Sequence, residues 1–314
     1  MQRSNLNYFA SFVAVSTFFL IVAGAMVTST GSGLAVPDWP LSFGQFFPPR
    51  EGGVFFEHGH RMIAGTVGLM TLVLSVWLWM TEERRWLCWL GTAALGAVAI
   101  QAVLGGITVL YGLPLPVSAA HATLAQTFFC LTIALAYFTS PAASPASAPA
   151  PASAPELSDS RSASRRLFRL SSLSTAFIFI QLVLGSVLRH GGGELFLQSH
   201  MIWALMVTGS VAAVFTAAIK NRESAKDALL PALLLILALI TQIGLGILAI
   251  LPLYGQLEFL IDFRTPIVTA HVATGAFLLG ASFLTALISR PRAASRTVAR
   301  TGTLSILQPQ RAQP

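Results

Sequence analysis

Charge is what this sequence has least of. Of 314 residues, 12 are acidic and 19 basic, together 10% of the chain, and a soluble domain of ordinary composition carries about 25%. Long stretches have no charge at all, which excludes a water-soluble globular class for the chain as a whole. Cysteine is nearly absent too. Cys88 and Cys130 both fall inside apolar runs and form no CxxC spacing, which excludes a disulfide framework and a cysteine-rich metal site and leaves them as small packing residues. The scarcity of acid relative to base gives a net charge of +7. Nucleic acid is not implied, because the basic residues follow the membrane topology set out below.

Apolar residues take the place of the missing charge, at 54% of the chain. Eight apolar runs stand near 8–29, 58–80, 87–110, 118–139, 168–188, 198–219, 229–251 and 266–289, each close to the roughly 20 residues that a helix needs to cross a lipid bilayer. The pattern predicts an all-α polytopic membrane protein, with eight transmembrane helices arranged as two pseudo-symmetric four-helix bundles. The first run, preceded by the single Arg3, reads as a retained helix rather than a cleaved signal peptide.

Residues 140–167 open with SPAASPASAPAPASAPELSDS, a proline-rich tract that cannot hold a helix and reads as a linker. It separates an N-terminal four-helix half (1–139) from a C-terminal one (168–289), and a basic tail (290–314) follows. With both termini, the linker and the tail in the cytoplasm, 15 of the 19 basic residues lie on that side, and only Arg50, Arg61, Arg189 and Arg264 lie outside, as the positive-inside rule requires.

The halves repeat. IQAVLGG (100–106), IQLVLGS (180–186) and TQIGLGI (241–247) place Gln101, Gln181 and Gln242 three residues before a Leu-Gly, and LIVAGAM (20–26) is a weaker copy. Such a small-residue face serves helix packing. Its recurrence also marks a repeated unit, because each copy is followed by a helix that begins with histidine: His60, His121, His200 and His271. Four residues after each stands a small one, Ala64, Ala125, Ala204 or Gly275, on the same helix face. Four histidines at one membrane depth point to function, since polar groups there are costly. Zinc or copper would call for further Cys, Asp or Glu ligands. Two histidines per bundle match one bis-histidine heme site in each half, with iron ligated by His60 and His121 and by His200 and His271. His190, in LRHGGGE (188–194), reads as a solvated loop histidine. His58 points away from His60 and reads as a neighbour of the site.

The first unit departs from the other three. Glu57 stands three residues before His60, where the others have Ser118, Leu197 and Val268, and Arg61 follows it where they have Ala122, Met201 and Val272. A carboxylate sharing a face with His60 is a candidate proton-transfer group, or else half of an interfacial ion pair. Arg61 is a candidate partner for a propionate or for Glu57. The long first outer loop, with TGSGLAVPDWPLSFGQFFPP (30–49), is a candidate lid.

These pieces, with EHGHR (57–61), HATLAQ (121–126), SHMIWAL (199–205) and TAHVATG (269–275), resemble the heme A synthase family. The resemblance implies an integral protein of the bacterial inner membrane, an oxidoreductase that converts a porphyrin methyl group of heme O to a formyl group, giving heme A for cytochrome oxidase. It implies heme O as substrate between His60 and His121, Glu57 as the catalytic carboxylate, heme B as cofactor between His200 and His271, and heme O synthase and oxidase assembly factors as partners. It leaves a homo-oligomer open. Many bacterial members carry a cysteine pair in the first outer loop, where Val36 and Ser42 stand here. A di-heme b-type electron carrier and a heme transporter are the alternative functions for the same histidines.

Overall fold

A computed structural model of the chain describes residues 2–49, 51–143, 154–223, 226–256 and 261–291. Arg50, the centre of the predicted linker (144–153) and the predicted tail from residue 292 onward lie outside the described residues. Eight long helices carry the fold: α1 (Gln2–Ser29), α2 (Gly52–Thr81), α3 (Arg85–Leu110), α4 (Leu115–Thr139), α5 (Ala154–Arg189), α6 (Gly193–Lys220), α7 (Lys226–Ile250) and α8 (Arg264–Ser289). Each is long and apolar enough to cross a membrane, and no strand occurs among the described residues.

One boundary differs from the sequence reading. α5 begins at Ala154, inside the stretch 140–167 read as linker. Pro155 is the last proline before Pro231 and falls in the first helical turn, where a missing N–H costs nothing. Beyond it nothing breaks the helix, and Ala163 and Leu167 are buried against the rest of the protein.

The helices close into two rings of matching order. α1 packs on α2 and α4, and α3 bridges α2 and α4, while α5 packs on α6 and α8, and α7 bridges α6 and α8. Contacts of α8 with α1 and α4, and of α4 with α5, join the rings. At that seam Ile21, Phe129 and Ala276 pack together, and α8 comes so close that a Cβ on Gly280 would meet Ile133 and Phe129 at 2.9 Å.

The packed cores lie at one end of each ring. In the first they comprise Leu6, Val13, Val67, Leu74, Leu78, Leu87, Phe128 and Leu135, and in the second Leu167, Ile178, Val207, Val214, Leu235 and Leu279. All lie toward the end away from the four histidines. In the second ring no residue of α5 after Ile178, of α6 before Val207 or of α7 after Leu239 is buried. The second ring is thus tightly packed at one end and loosely packed at the histidine end, whereas in the first ring Ala25, Glu57, His58, Thr108, Ser118 and Ala119 are buried there.

Candidate functional site

Each of the four histidines is seated in the same way. A Cβ built on Gly24 would lie 3.0 Å from Cε1 of His60, on Gly105 3.2 Å from that of His121, on Gly185 2.9 Å from that of His200, and on Gly246 3.1 Å from that of His271. These are the glycines of the repeated QxxLG motif and of its weaker copy in α1. Each odd-numbered helix therefore offers bare backbone to the imidazole of the next helix, and any side chain there would push the ring aside. The motif's purpose is invisible in sequence because it depends on which helix packs beside which.

The motif's glutamine works on the same ring. Gln242 hydrogen-bonds His271 from both directions: its side-chain amide is 3.2 Å from Nε2, and its main-chain carbonyl is 3.2 Å from Nδ1. That pattern favours the tautomer that carries its proton on Nδ1, with the Nε2 lone pair accepting from the Gln242 amide. Gln181 donates its amide to the main-chain carbonyl of His200 at 2.9 Å. His121 and His200 face the carbonyls of Gln101 and Gln181 without reaching hydrogen-bond geometry, and Nδ1 of His60, His121 and His200 is buried with no partner. Gly275, the small residue four after His271, is covered by Leu182 and the Gln242 amide, each 3.2 Å from a Cβ placed there.

The rings of His200 and His271 face one another across the second bundle. His60 and His121 lie within electrostatic reach of one another. An imidazole nitrogen lies about 2 Å from a metal it ligates and the ring centre roughly 1 Å beyond, so two rings on opposite sides of one ion have centres about 6 Å apart. Those of His200 and His271 are 6.3 Å apart and inclined at 62°. Among the described residues no group of three or more His, Cys, Asp or Glu gathers at metal-binding spacing. Two histidines per bundle is the donor set of a six-coordinate heme iron, not of a tetrahedral ion.

The first unit is covered by its outer loop. Glu57 is 3% exposed, and its carboxylate accepts from the main-chain N–H of Val36 at 2.8 Å and from Arg61 at 2.6 Å. Arg61 also donates to the carbonyls of Asp38, Leu41 and Val36 at 2.7, 2.8 and 3.3 Å. Of the two partners foreseen for Arg61, the structure joins it to Glu57. Asp38 in turn accepts from the N–H groups of Phe43 and Gly44 at 2.7 and 2.8 Å, which hold its carboxyl below the usual range. Ser42 hydrogen-bonds Nδ1 of the buried His58 at 2.9 Å, and the Trp39 indole packs on Gly106, one residue beyond the glycine that seats His121. Val36 and Ser42, where the family resemblance places a cysteine pair, tie the loop to α2 by hydrogen bonds.

Most of the chain matches a known protein family. The family model of the cytochrome oxidase assembly proteins, COX15-CtaA, matches residues 7–199, more than half the chain. The chain belongs to the COX15-CtaA family. The match takes in Glu57, His60, Arg61 and His121 and ends one residue before His200. Among curated family relatives, the heme A synthase of Geobacillus kaustophilus (strain HTA426) is 35% identical over 118 residues, 36% of each chain. That of Alkalihalophilus pseudofirmus is 30% identical over 123 residues, 38% of this chain and 41% of the relative, and that of Halalkalibacterium halodurans 30% over 139, or 43% and 44%. The aligned stretches thus span less than half the length of these relatives.

Two residues stand differently from their sequence reading. His190 is half-buried rather than solvated, and its ring reaches the field of His121. Burial, and then the adjacent Arg189 charge, hold it below the usual imidazole range. Arg189, which carried no role in the sequence, reaches across to the other half. Its Nη2 donates to the Ala25 carbonyl at 2.9 Å and to the Ser29 hydroxyl at 2.7 Å, while its Nη1 is buried without a partner.

Proposed function

We propose that this protein is a heme A synthase that oxidises a methyl group of heme O to a formyl group. The observation that carries this reading is the broken symmetry: four histidines are seated alike on glycines, and among the described residues only the first unit adds a buried carboxylate paired with an arginine under a folded loop. In this reading His60 and His121 hold heme O, and Glu57 beside them is the catalytic carboxylate. Written with water as the oxygen source, converting a methyl to a formyl group (RCH3 + H2O → RCHO + 4 H+ + 4 e−) delivers its electrons to an external electron acceptor and its protons, one at a time, to Glu57. Val36 N–H and Arg61 orient that carboxylate while the loop covers it.

His200 and His271 hold heme B in the second half, where the group when bound supplies one-electron redox capacity. The histidine ends face the outside of the bacterial inner membrane and both termini face the cytoplasm, as the distribution of basic residues supports. Heme O synthase is the natural donor of so apolar a substrate. Extraction of pigments from the purified protein with acid acetone is expected to yield heme B together with heme O or heme A. Heme B alone would favour the di-heme carrier. A Glu57→Ala protein that converts heme O at the normal rate would remove the carboxylate from the mechanism.

A further inference from the structure

The second half contains a cation that the proposed chemistry leaves without a counterpart. Arg189 lies one helical turn beyond Gly185, the seat of His200, and residues four apart share a helix face. Arg264 lies seven residues before His271, two turns along the same face of α8. Both therefore stand on the faces that carry the His200–His271 site, displaced toward the outer end of the bundle. The two guanidinium groups are close enough to repel one another, and the Arg189 charge reaches His271. Neither forms an ion pair among the described residues.

Arg189 is fixed in this position. Nη2 is held by Ala25 and Ser29 of α1, and Ser29 is held in turn by Thr265 and Thr269 of α8 at 3.2 and 2.9 Å. The guanidinium cannot swing out to water without breaking these bonds. Nη1 nevertheless remains buried with no acceptor among the described residues, a costly arrangement for a charged donor. A fixed fork of donors beside a second arginine suits carboxylate oxygens. The corresponding positions of the first half are Thr28, Val109, Gly53 and Pro114, so the arrangement is peculiar to the second site. Arg61, beside His60 in the first pair, is already engaged by Glu57 and the loop.

We infer that Arg189 and Arg264 bind the carboxylate side chains of the porphyrin ligated by His200 and His271, making the second half an acid-selective site, while the described arginine at the histidine end of the first half, Arg61, is engaged by Glu57 and the loop. This rests on the heme reading of that pair. It assigns the halves different tasks: firm retention of a cofactor in one, and release of a product in the other.

The test uses full-length protein in nanodiscs, stripped of pigment and titrated with heme B or its dimethyl ester while the low-spin bis-histidine spectrum of the second site is followed. A His60→Ala background silences the first site. Heme B is expected to bind ~10-fold or more tightly than the ester, since only the acid forms charge-assisted bonds. Arg189→Gln is expected to remove most of that preference by weakening heme B alone, and Arg189→Lys to restore part of it. Arg264→Gln is expected to reduce the preference by less, because Arg264 is exposed. Equal binding of acid and ester by the arginine-intact protein overturns the inference while leaving the heme site standing, and it is also the result expected if a lipid phosphate occupies these arginines. A spectrum unchanged by His200→Ala and by His271→Ala overturns the heme reading, and the inference with it.

Discussion

At the scale of the residue, the glycine opposite each imidazole is the most sensitive point. A methyl group at Gly185 would sit 2.9 Å from His200 Cε1, so Gly185→Ala must displace the ring or the helix, at a cost of about 1–3 kcal/mol. The expected outcome is loss of the low-spin spectrum in the second half with the first unaffected, and Gly105→Ala should do the reverse. Difference spectra of the two variants check both. Glu57 and Arg61 are a second sensitive pair, 4% and 15% exposed at their side chains. Removing Arg61 alone leaves a buried carboxylate without its counter-charge, which costs about 3–5 kcal/mol where burial is complete and less here. Arg61→Ala should therefore lower the melting temperature more than the Glu57→Ala/Arg61→Ala double substitution does. The histidines were legible as residues because each is a polar outlier in an apolar run. Their glycine seats were not, since a seat and its ring lie on different helices.

At the scale of the element, the first outer loop behaves as a strap. Its carbonyls at Val36, Asp38 and Leu41 converge on one guanidinium, so Arg61→Ala is expected to expose the loop to protease between residues 36 and 44 while α2 stays intact, as mass analysis of the fragments would reveal. The α5–α6 turn has its own switch at His190. Its folded pKa is lowered, so the unfolded chain binds the proton more readily. The fold is at its most stable above the ordinary histidine value, about 6.5, and loses stability as pH falls below it. A melting temperature that drops between pH 7.5 and pH 5.5 in the native chain, and drops less in His190→Gln, is the expected result. α4 ends at Thr139, where the proline-rich tract read as a linker starts. Proline placement did not predict where the linker ends, because α5 continues back to Ala154 once the prolines stop, supported by tertiary burial of Ala163 and Leu167.

At the scale of the molecule, two rings are joined by a seam of apolar contacts at Ile21, Phe129 and Ala276 and by a polar knot at Ser29, Arg189, Thr265 and Thr269. The seam should hold without the covalent connection. Two fragments, 1–143 and 154–314, co-expressed as separate chains, are expected to purify together. Gly280→Leu, which drives a side chain into Ile133 and Phe129, should separate them.

The sequence by itself determined the eight spans, the repeat, the four histidines and the uniqueness of Glu57 and Arg61. Lipid solvation imposes long apolar runs, and any polar group retained inside them stands out. The tertiary structure alone decided that Arg61 joins Glu57 to the loop, that the QxxLG glycines seat the rings, that His200 and His271 lie at the separation of two ligands on one ion, and that Arg189 crosses between halves with a donor unsatisfied. These depend on which helix faces which and at what distance. Side chains many residues apart acquire a joint chemistry only when packing fixes that distance.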